Sequence, residues 1–202
     1  MLKAMFSASV LCLATNLVAA QPAPVSPTVR IRGTIQAADD AAITVKARSG
    51  EVVVLALSDK LTVSEVLPIQ LSDIKPGSYI GTAAVPQADG TLRSLGVTVF
   101  PESARGVGDG HRPFDLGPES TMTNGAVADL VAAPEGRKLL LKYKDGEKTV
   151  LVPPGTQVVT FKPGDRSLLV VGANVSLTAQ EINGKPTALR VTAGRNGFAG
   201  PY

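Results

Sequence analysis

Cysteine, tryptophan and histidine are nearly absent from this chain of 202 residues, and each absence excludes a class of site. There is one cysteine, Cys12, one histidine, His111, and no tryptophan. Because Cys12 falls in a segment that we expect to be removed on export, the mature protein has no thiol for a disulfide, a thiolate metal site or a cysteine nucleophile. Its stability must therefore come from packed apolar cores.

Aromatic residues and net charge are also low. Aromatic side chains make up 4% of the sequence, and the formal net charge is +3 at pH 7. Single-stranded nucleic acids are usually bound by aromatic side chains that line a strongly basic groove. The composition therefore gives no expectation of a nucleic-acid partner.

The first twenty residues have the layout of a secretory signal peptide. Lys3 gives a basic start, residues 4–19 are largely apolar, and Val18-Ala19-Ala20 supplies small residues before Gln21-Pro22. We predict cleavage near Ala20, which places the mature protein in the periplasm or outside the cell. An uncleaved membrane anchor is the alternative, although polar residues interrupt the apolar run. No later segment is apolar enough to cross a bilayer as a helix, so we expect no transmembrane span in the mature chain.

After a proline-rich lead-in at residues 21–28, the same pattern of strands is read twice, over residues 29–100 and 121–196. Residues 101–120 form a Gly/Pro-rich linker, and residues 197–202 form a C-terminal tail. The landmarks of the pattern recur at an offset of roughly 92 to 96 residues. They are Gly33 and Gly125, Ser49-Gly50 and Asp145-Gly146, Gly77 and Gly172, and Asp89-Gly90 and Asn183-Gly184. The sequence therefore predicts two small domains.

Within each copy, apolar and polar residues alternate. Ile43 and Val45 alternate with Thr44 and Lys46, for example. A period of two predicts strands with one buried face, and the Gly-containing turns predict antiparallel hairpins. We therefore predict an all-β protein of two tandem small OB-like five-stranded barrels, with small β-sandwiches as the alternative. The best helical segment is residues 64–67, between the third and fourth strands of the first copy.

Four segments of the first copy carry a resemblance to a known family. They are Gly33-Thr34-Ile35, Asp59-Lys60-Leu61-Thr62-Val63, Leu71-Ser72-Asp73-Ile74-Lys75-Pro76-Gly77 and Asp89-Gly90-Thr91. In these segments the chain resembles an exported bacterial domain family of unknown function with an OB-like β-barrel, here in tandem copies. The resemblance implies the fold and an exported location. It implies no activity or site residue, because these motifs mark turns.

Basic residues recur at equivalent outward positions in the second strand of each copy. They are Lys46 and Arg48 in the first copy, and Lys142 and Lys144 in the second. In OB folds the face of strands two and three is the usual ligand surface. We interpret these four residues as candidate ligand-binding residues that offer charge to an anionic polymer, a lipid head group or an acidic envelope protein. The alternative is that they only solvate a half-exposed strand and protect a sheet edge.

The linker carries a second candidate site. Asp109, His111 and Asp115 have a spacing that could bring one imidazole and two carboxylates to a divalent cation. One histidine without cysteine is a poor zinc set. The alternative is that His111 and its neighbours clamp the junction between the two copies.

No catalytic set is apparent in the sequence. A Ser-His-Asp set would depend on His111 in the linker, and the chain has no Gly-x-Ser-x-Gly motif or phosphate-binding loop. We therefore expect neither an enzyme nor a cofactor. The sequence favours a non-catalytic binding or interaction module of the cell envelope. The alternatives are a periplasmic metal-binding protein that uses the linker and a structural spacer without a ligand.

Overall fold

The computed structural model describes residues 26–202, which form β-strands joined by turns and by 3-10 helices of three residues. The strands are β1 (Thr28–Ala38), β2 (Ala42–Ala47), β3 (Val52–Pro68), β4 (Tyr79–Pro86), β5 (Leu92–Val99), β6 (Gly110–Pro113), β7 (Thr121–Ala133), β8 (Gly136–Tyr143), β9 (Gly146–Val152), β10 (Val158–Pro163), β11 (Asn174–Ile182) and β12 (Lys185–Ala193). The 3-10 helices are Leu71–Asp73, Glu102–Ala104, Arg166–Leu168 and Arg195–Gly197. The predicted signal peptide lies outside the described residues. Within residues 26–202, no helix is long and apolar enough to cross a membrane.

The alternation that the sequence predicts is present in the strands. In β2, Ile43 and Val45 are buried and Lys46 is exposed, and in β8 Leu139 and Leu141 are fully buried. One face of each of these strands therefore packs into a core while the other faces away from it. The prediction of an all-β protein is confirmed.

The strands close into five-membered barrels. In barrel 1 the order is β1, β2, β3, β12 and β11, and β11 pairs again with β1. In barrel 2 the order is β7, β8, β9, β5 and β4, and β4 pairs again with β7. The predicted five-stranded barrel architecture is confirmed, and it is compatible with an OB-like fold. Of the other two strands, β6 pairs with β7, and β10 pairs with both β3 and β5.

The two barrels exchange strands between the sequence copies. Barrel 1 takes β1–β3 from the first copy and β11 and β12 from the second, whereas barrel 2 takes β7–β9 from the second copy and β4 and β5 from the first. Residues 29–100 and 121–196 are thus the two copies of the strand pattern. Neither copy forms a barrel by itself, because each barrel contains strands from both copies. Local patterns specify strands and hairpins, but they do not specify which distant strand completes a sheet.

β3 and β10 join the two barrels. They pair antiparallel, with Val66 opposite Phe161 at the centre of the paired segment. These two residues are about 95 positions apart, which is the offset of the repeat. The copies are therefore related by an approximate two-fold axis that passes through this pair. The helix predicted at residues 64–67 is wrong, because this segment is the end of β3 and pairs with β10 of the other copy.

Each barrel has its own apolar core, and both copies contribute to each core. The core of barrel 1 includes Ile35, Val45 and Leu55 from the first copy and Val175, Leu177 and Val191 from the second. The core of barrel 2 includes Ile80 and Val97 from the first copy and Leu139, Leu141 and Val150 from the second. Completion of either core therefore requires both halves of the chain.

The linker and the tail pack against barrel 2. Within residues 101–120, β6 adds to the edge of β7. Residues 198–202 are not a strand, as their Gly and Pro content predicts. They run along β5, where a side chain at Gly96 would overlap Pro201. The linker and the tail thereby reach the space between the barrels.

Candidate functional site

A cavity of about 500 Å³ lies between the two barrels. Strands β1 and β11 of barrel 1 and strands β4, β5 and β7 of barrel 2 contribute to its lining, together with the linker and residues 199–202. Val66 and Phe161, the pair on the approximate two-fold axis, also line it. A cavity of this volume accommodates a small organic ligand. Both copies of the strand pattern therefore contribute walls of the cavity.

The lining of the cavity is strongly cationic. No Asp or Glu side chain of residues 26–202 belongs to it. Six cationic side chains line it, namely Arg30, Arg32, Lys46, Arg48, Arg112 and Arg190. A concave surface of one charge sign concentrates ligands of the opposite sign. The arrangement suits an anionic ligand.

Among the lining cations that form an ion pair, Arg32 has the least exposed side chain. Its side chain is 11% exposed, and its guanidinium donates two hydrogen bonds to Asp115, at 2.7 and 3.0 Å. The pairing lowers the pKa of Asp115 below its ordinary value. Asp115 holds the two terminal nitrogens of Arg32, whereas the buried Nε of Arg32 has no hydrogen-bond partner in residues 26–202. Arg32 thus keeps one buried donor on a residue that lines the cavity.

Aromatic rings fix one wall of the cavity. The guanidinium carbons of Arg30 and Arg32 each lie 5.3 Å from the centre of the Phe114 ring, within the range of cation–π attraction. Phe114 in turn meets Tyr202 edge to face, with ring centres 5.7 Å apart. The Tyr202 hydroxyl lies 2.8 Å from Thr98 Oγ1 and 3.2 Å from the Gly81 carbonyl oxygen. Burial raises the pKa of Tyr202 to about 12, so its hydroxyl is neutral near pH 7.

Asn124 supplies a second buried polar atom without a partner. This residue on β7 is 4% exposed, and its Nδ2 donates to the Val107 carbonyl oxygen at 2.9 Å. Its Oδ1 accepts no hydrogen bond from residues 26–202. Gly81, which also lines the cavity, lies so close that an added Cβ would be 2.7 Å from Asn124 Oδ1. An acceptor that is buried and unsatisfied costs stability unless a ligand or water meets it.

The four basic residues predicted from the sequence separate into two pairs. Lys46 and Arg48 of β2 and the following turn are exposed and line the cavity. Lys142 and Lys144, their equivalents in the second copy, are exposed but do not belong to its lining. The approximate two-fold axis therefore relates positions with different surroundings.

The three linker residues predicted as metal ligands each have a different partner. Asp109 accepts hydrogen bonds from the Tyr79 hydroxyl at 3.1 Å and from the Lys144 backbone N–H at 2.8 Å. His111 Nδ1 lies 2.8 Å from Thr123 Oγ1, and burial lowers the His111 pKa. Asp115 binds Arg32. Within residues 26–202, no group of three or more His, Cys, Asp or Glu side chains is placed to hold a metal ion.

Sequence reasoning missed several residues of the cavity. Arg30 and Arg32 carried a usable signal, because residues two apart on a strand share a face, and two arginines on one face form a local basic patch. Asn124 and Tyr202 carried none, since their surroundings depend on which strands meet across the barrels.

Comparison of this chain with protein-family models, with curated proteins and with solved structures gave no match.

Proposed function

We propose that this chain is a non-catalytic binding module of the cell envelope that binds an anionic ligand in the cavity between its two barrels. The observation that carries the proposal is the set of six cationic side chains around a cavity to which residues 26–202 contribute no Asp or Glu side chain. The ligand is an acidic polymer, or a unit of one, whose charged groups enter the cavity past the exposed Lys46 and Arg48.

The make-up of the lining supports binding over catalysis. Among the described residues, the lining includes no His, Asp, Glu or Cys side chain that would act as a general base or a nucleophile. The nearest carboxylate partner of a lining residue, Asp115, is engaged in a bidentate pair with Arg32. The cations are therefore placed to hold charge rather than to move protons.

The location is proposed from the leader. Lys3, the apolar run that follows it and the small residues before Gln21 support export, with cleavage near Ala20. The resemblance to an exported family of OB-like domains points the same way. Mass spectrometry of the protein recovered from a periplasmic fraction tests this part: a mass that begins near Gln21 supports it, and a mass that retains residues 1–20 contradicts it.

Binding of a short polyacrylate tests the proposed function, because this probe carries carboxylates and no other polar group. Affinity is measured by titration calorimetry at low and at roughly physiological ionic strength, where exposed charges are screened over about 8 Å. We expect binding that weakens with salt. We expect Lys46→Ala with Arg48→Ala to lower the affinity about tenfold, or roughly 1.4 kcal/mol.

The second copy provides the matched control. Lys142→Ala with Lys144→Ala removes the same charge from equivalent positions that do not line the cavity, so we expect less than about a twofold change. Equal losses from both double variants would mean that net charge, rather than the cavity, binds the probe. No binding at low salt would contradict the proposed function.

A further inference from the structure

We propose, on the basis of the proposed function, that the charged groups bound in this cavity are phosphates, and that Arg30, Thr178 and Arg190 hold one of them. These three residues, the Arg-Thr-Arg set, lie on adjacent strands of barrel 1. Thr178 of β11 is directly opposite Arg30 of β1 on one side and directly opposite Arg190 of β12 on the other. All three residues line the cavity.

A ligand can reach each member of the Arg-Thr-Arg set. The Arg30 side chain is 47% exposed, Arg190 is exposed, and Thr178 is half-buried. Residues directly opposite each other on neighbouring strands share one face of the sheet, with Cβ atoms about 5 Å apart. Two guanidinium groups can therefore flank an anion that rests on the Thr178 hydroxyl group.

The contacts of Arg30 leave it donors for a ligand. Asp115 accepts two hydrogen bonds from Arg32, whereas it lies 3.8 Å from Arg30 Nη1, which is longer than a hydrogen bond. The Arg30 guanidinium packs over the Phe114 ring, and a guanidinium that stacks in this way keeps its N–H groups directed outward in its own plane. Arg30 is thus held in place without losing its capacity to bind an anion.

The equivalent place in barrel 2 shows that the fold itself does not need this set. There, Ala83 of β4 is directly opposite Met122 of β7 on one side and Gly96 of β5 on the other, so the three equivalent positions hold neither charge nor a hydroxyl group. A side chain at Gly96 would overlap Pro201 of the tail. The tail therefore covers this place in barrel 2, whereas the two arginines and the threonine lie where barrel 1 opens on the cavity.

A phosphate group matches the Arg-Thr-Arg set better than a carboxylate does. The donors come from three strands, with the Thr178 hydroxyl group beneath the anion and a guanidinium group on either side of it. A carboxylate accepts through two oxygens in one plane, whereas a phosphate group presents its oxygens around a tetrahedral centre. Arginine also binds phosphate through two parallel hydrogen bonds. Lys46 and Arg48, which line the same cavity, are placed for a further phosphate of the ligand.

Three small probes and polyacrylate test the chemical class, each titrated against the purified mature protein by calorimetry at low salt. Tripolyphosphate is a chain of phosphates, glycerol 3-phosphate carries one phosphate ester, and butane-1,2,3,4-tetracarboxylate is a carboxylate chain of similar charge to tripolyphosphate. We expect tripolyphosphate to bind at least about tenfold more tightly than the tetracarboxylate, because only a phosphate meets all three side chains.

Variants of the Arg-Thr-Arg set separate specific recognition from attraction by charge. We expect Arg190→Met to lower the affinity for tripolyphosphate about tenfold. Arg190→Lys keeps the charge but loses the two parallel donors, and Thr178→Val removes only the hydroxyl group, so we expect each to lower the affinity about threefold. Polyacrylate affinity is expected to change less than about twofold on Thr178→Val.

Two matched controls lie outside the cavity lining. Arg93→Met removes an exposed strand arginine from β5, and Thr44→Val removes a half-buried strand hydroxyl group from β2. We expect each control to change the affinity for tripolyphosphate less than about twofold.

The relative affinities of the probes decide between the possible ligands. Tripolyphosphate that binds more tightly than glycerol 3-phosphate and the tetracarboxylate supports a phosphate chain, and glycerol 3-phosphate that binds more tightly than the other two supports a phosphate ester. Equal binding of the tetracarboxylate and tripolyphosphate, or equal effects of Thr178→Val and Thr44→Val, overturns the phosphate inference, while polyacrylate binding leaves the proposed function standing. No binding of either polyacrylate or tripolyphosphate overturns both.

Discussion

Val66 and Phe161 pair directly across an antiparallel contact, and they occupy equivalent positions in the two copies of the strand pattern. An approximate two-fold axis therefore passes through one chain as it would pass between two subunits of a homodimer. Around this axis, strands β4 and β5 cross into the barrel of the second copy, and β11 and β12 cross into the barrel of the first. The cavity between the barrels is built on the same axis.

Cleavage of the linker should leave the two halves of the molecule associated. A specific protease site placed at the exposed residues 117–119 divides the chain between β6 and β7. Because β1 pairs with β11, β3 with β10 and β12, β4 with β7, and β5 with β9, strand pairings in both barrels cross the cut. We expect the fragments to co-elute on native size exclusion and to separate only in denaturant. Two fragments that separate under native conditions would contradict the strand exchange.

Alanine at Gly33 or Gly125 should destabilise the whole molecule. A Cβ at Gly33 would overlap the Lys46 carbonyl oxygen, and one at Gly125 would lie 2.5 Å from the Lys142 carbonyl oxygen. We expect each substitution to lower the free energy of unfolding by roughly 2 to 3 kcal/mol, since the backbone must shift.

Denaturant unfolding measures these changes, and Gly117→Ala is the control, because no atom lies within 4 Å of a Cβ built there. We expect both variants and the parent to unfold in one transition, since each core draws side chains from both copies. A variant that unfolds in two separate transitions would show that the two barrels unfold independently.

Removal of the two cations that bind Glu65 should lower the free energy of unfolding more than removal of the Glu65 charge does. The Glu65 side chain is 3% exposed, and its Oε2 lies 3.1 Å from Arg195 Nε and 3.3 Å from Lys162 Nζ. The double variant Lys162→Ala with Arg195→Ala leaves a buried carboxylate without its partners, for which we expect a loss of about 3 to 5 kcal/mol.

Glu65→Gln leaves Lys162 and Arg195 about half exposed and free to hydrate, so its expected loss is about 1 kcal/mol. Urea unfolding near pH 7 measures both variants. The reverse order of the two losses would contradict the view that desolvation of the carboxylate dominates.

Tyr202 should make the protein less stable in alkali. Burial raises its pKa in the folded protein to about 12, above the ordinary value of 10.0. As the pH rises above about 10, Tyr202 loses its hydroxyl proton in the unfolded chain before it does so in the folded protein. The contribution of this hydroxyl group to stability is therefore complete below pH 10 and is lost as the pH approaches 12. Tyr79, whose pKa burial also raises to about 12, adds to the same loss.

The variant Tyr202→Phe isolates the contribution of Tyr202. The difference in the free energy of unfolding between about pH 9 and about pH 11 is expected to be smaller by roughly 1 kcal/mol in the variant than in the parent. Chemical denaturation at both pH values measures it. Equal pH dependence in parent and variant would mean that the Tyr202 hydroxyl ionises as freely in the folded protein as in the unfolded chain.

The site was only partly accessible from the sequence. Lys46 and Arg48 were predicted together with Lys142 and Lys144 because all four hold outward positions in equivalent strands, and only the first pair lines the cavity. Asp109, His111 and Asp115 are close in sequence, yet each binds a different neighbour. Spacing along a loop does not determine where side chains point once the loop is packed.

The sequence by itself determined the elements that depend on near neighbours. The alternation of Ile43 and Val45 with polar residues sets the buried face of β2, and the turn glycines set the hairpins, because both effects act over a few residues. Only the tertiary structure decided which copy completes each barrel, why residues 64–67 form a strand, and that Asn124 and Tyr202 meet one cavity. These features depend on pairings between residues far apart in the chain, whose free energy is shared by whole strands and leaves no local pattern.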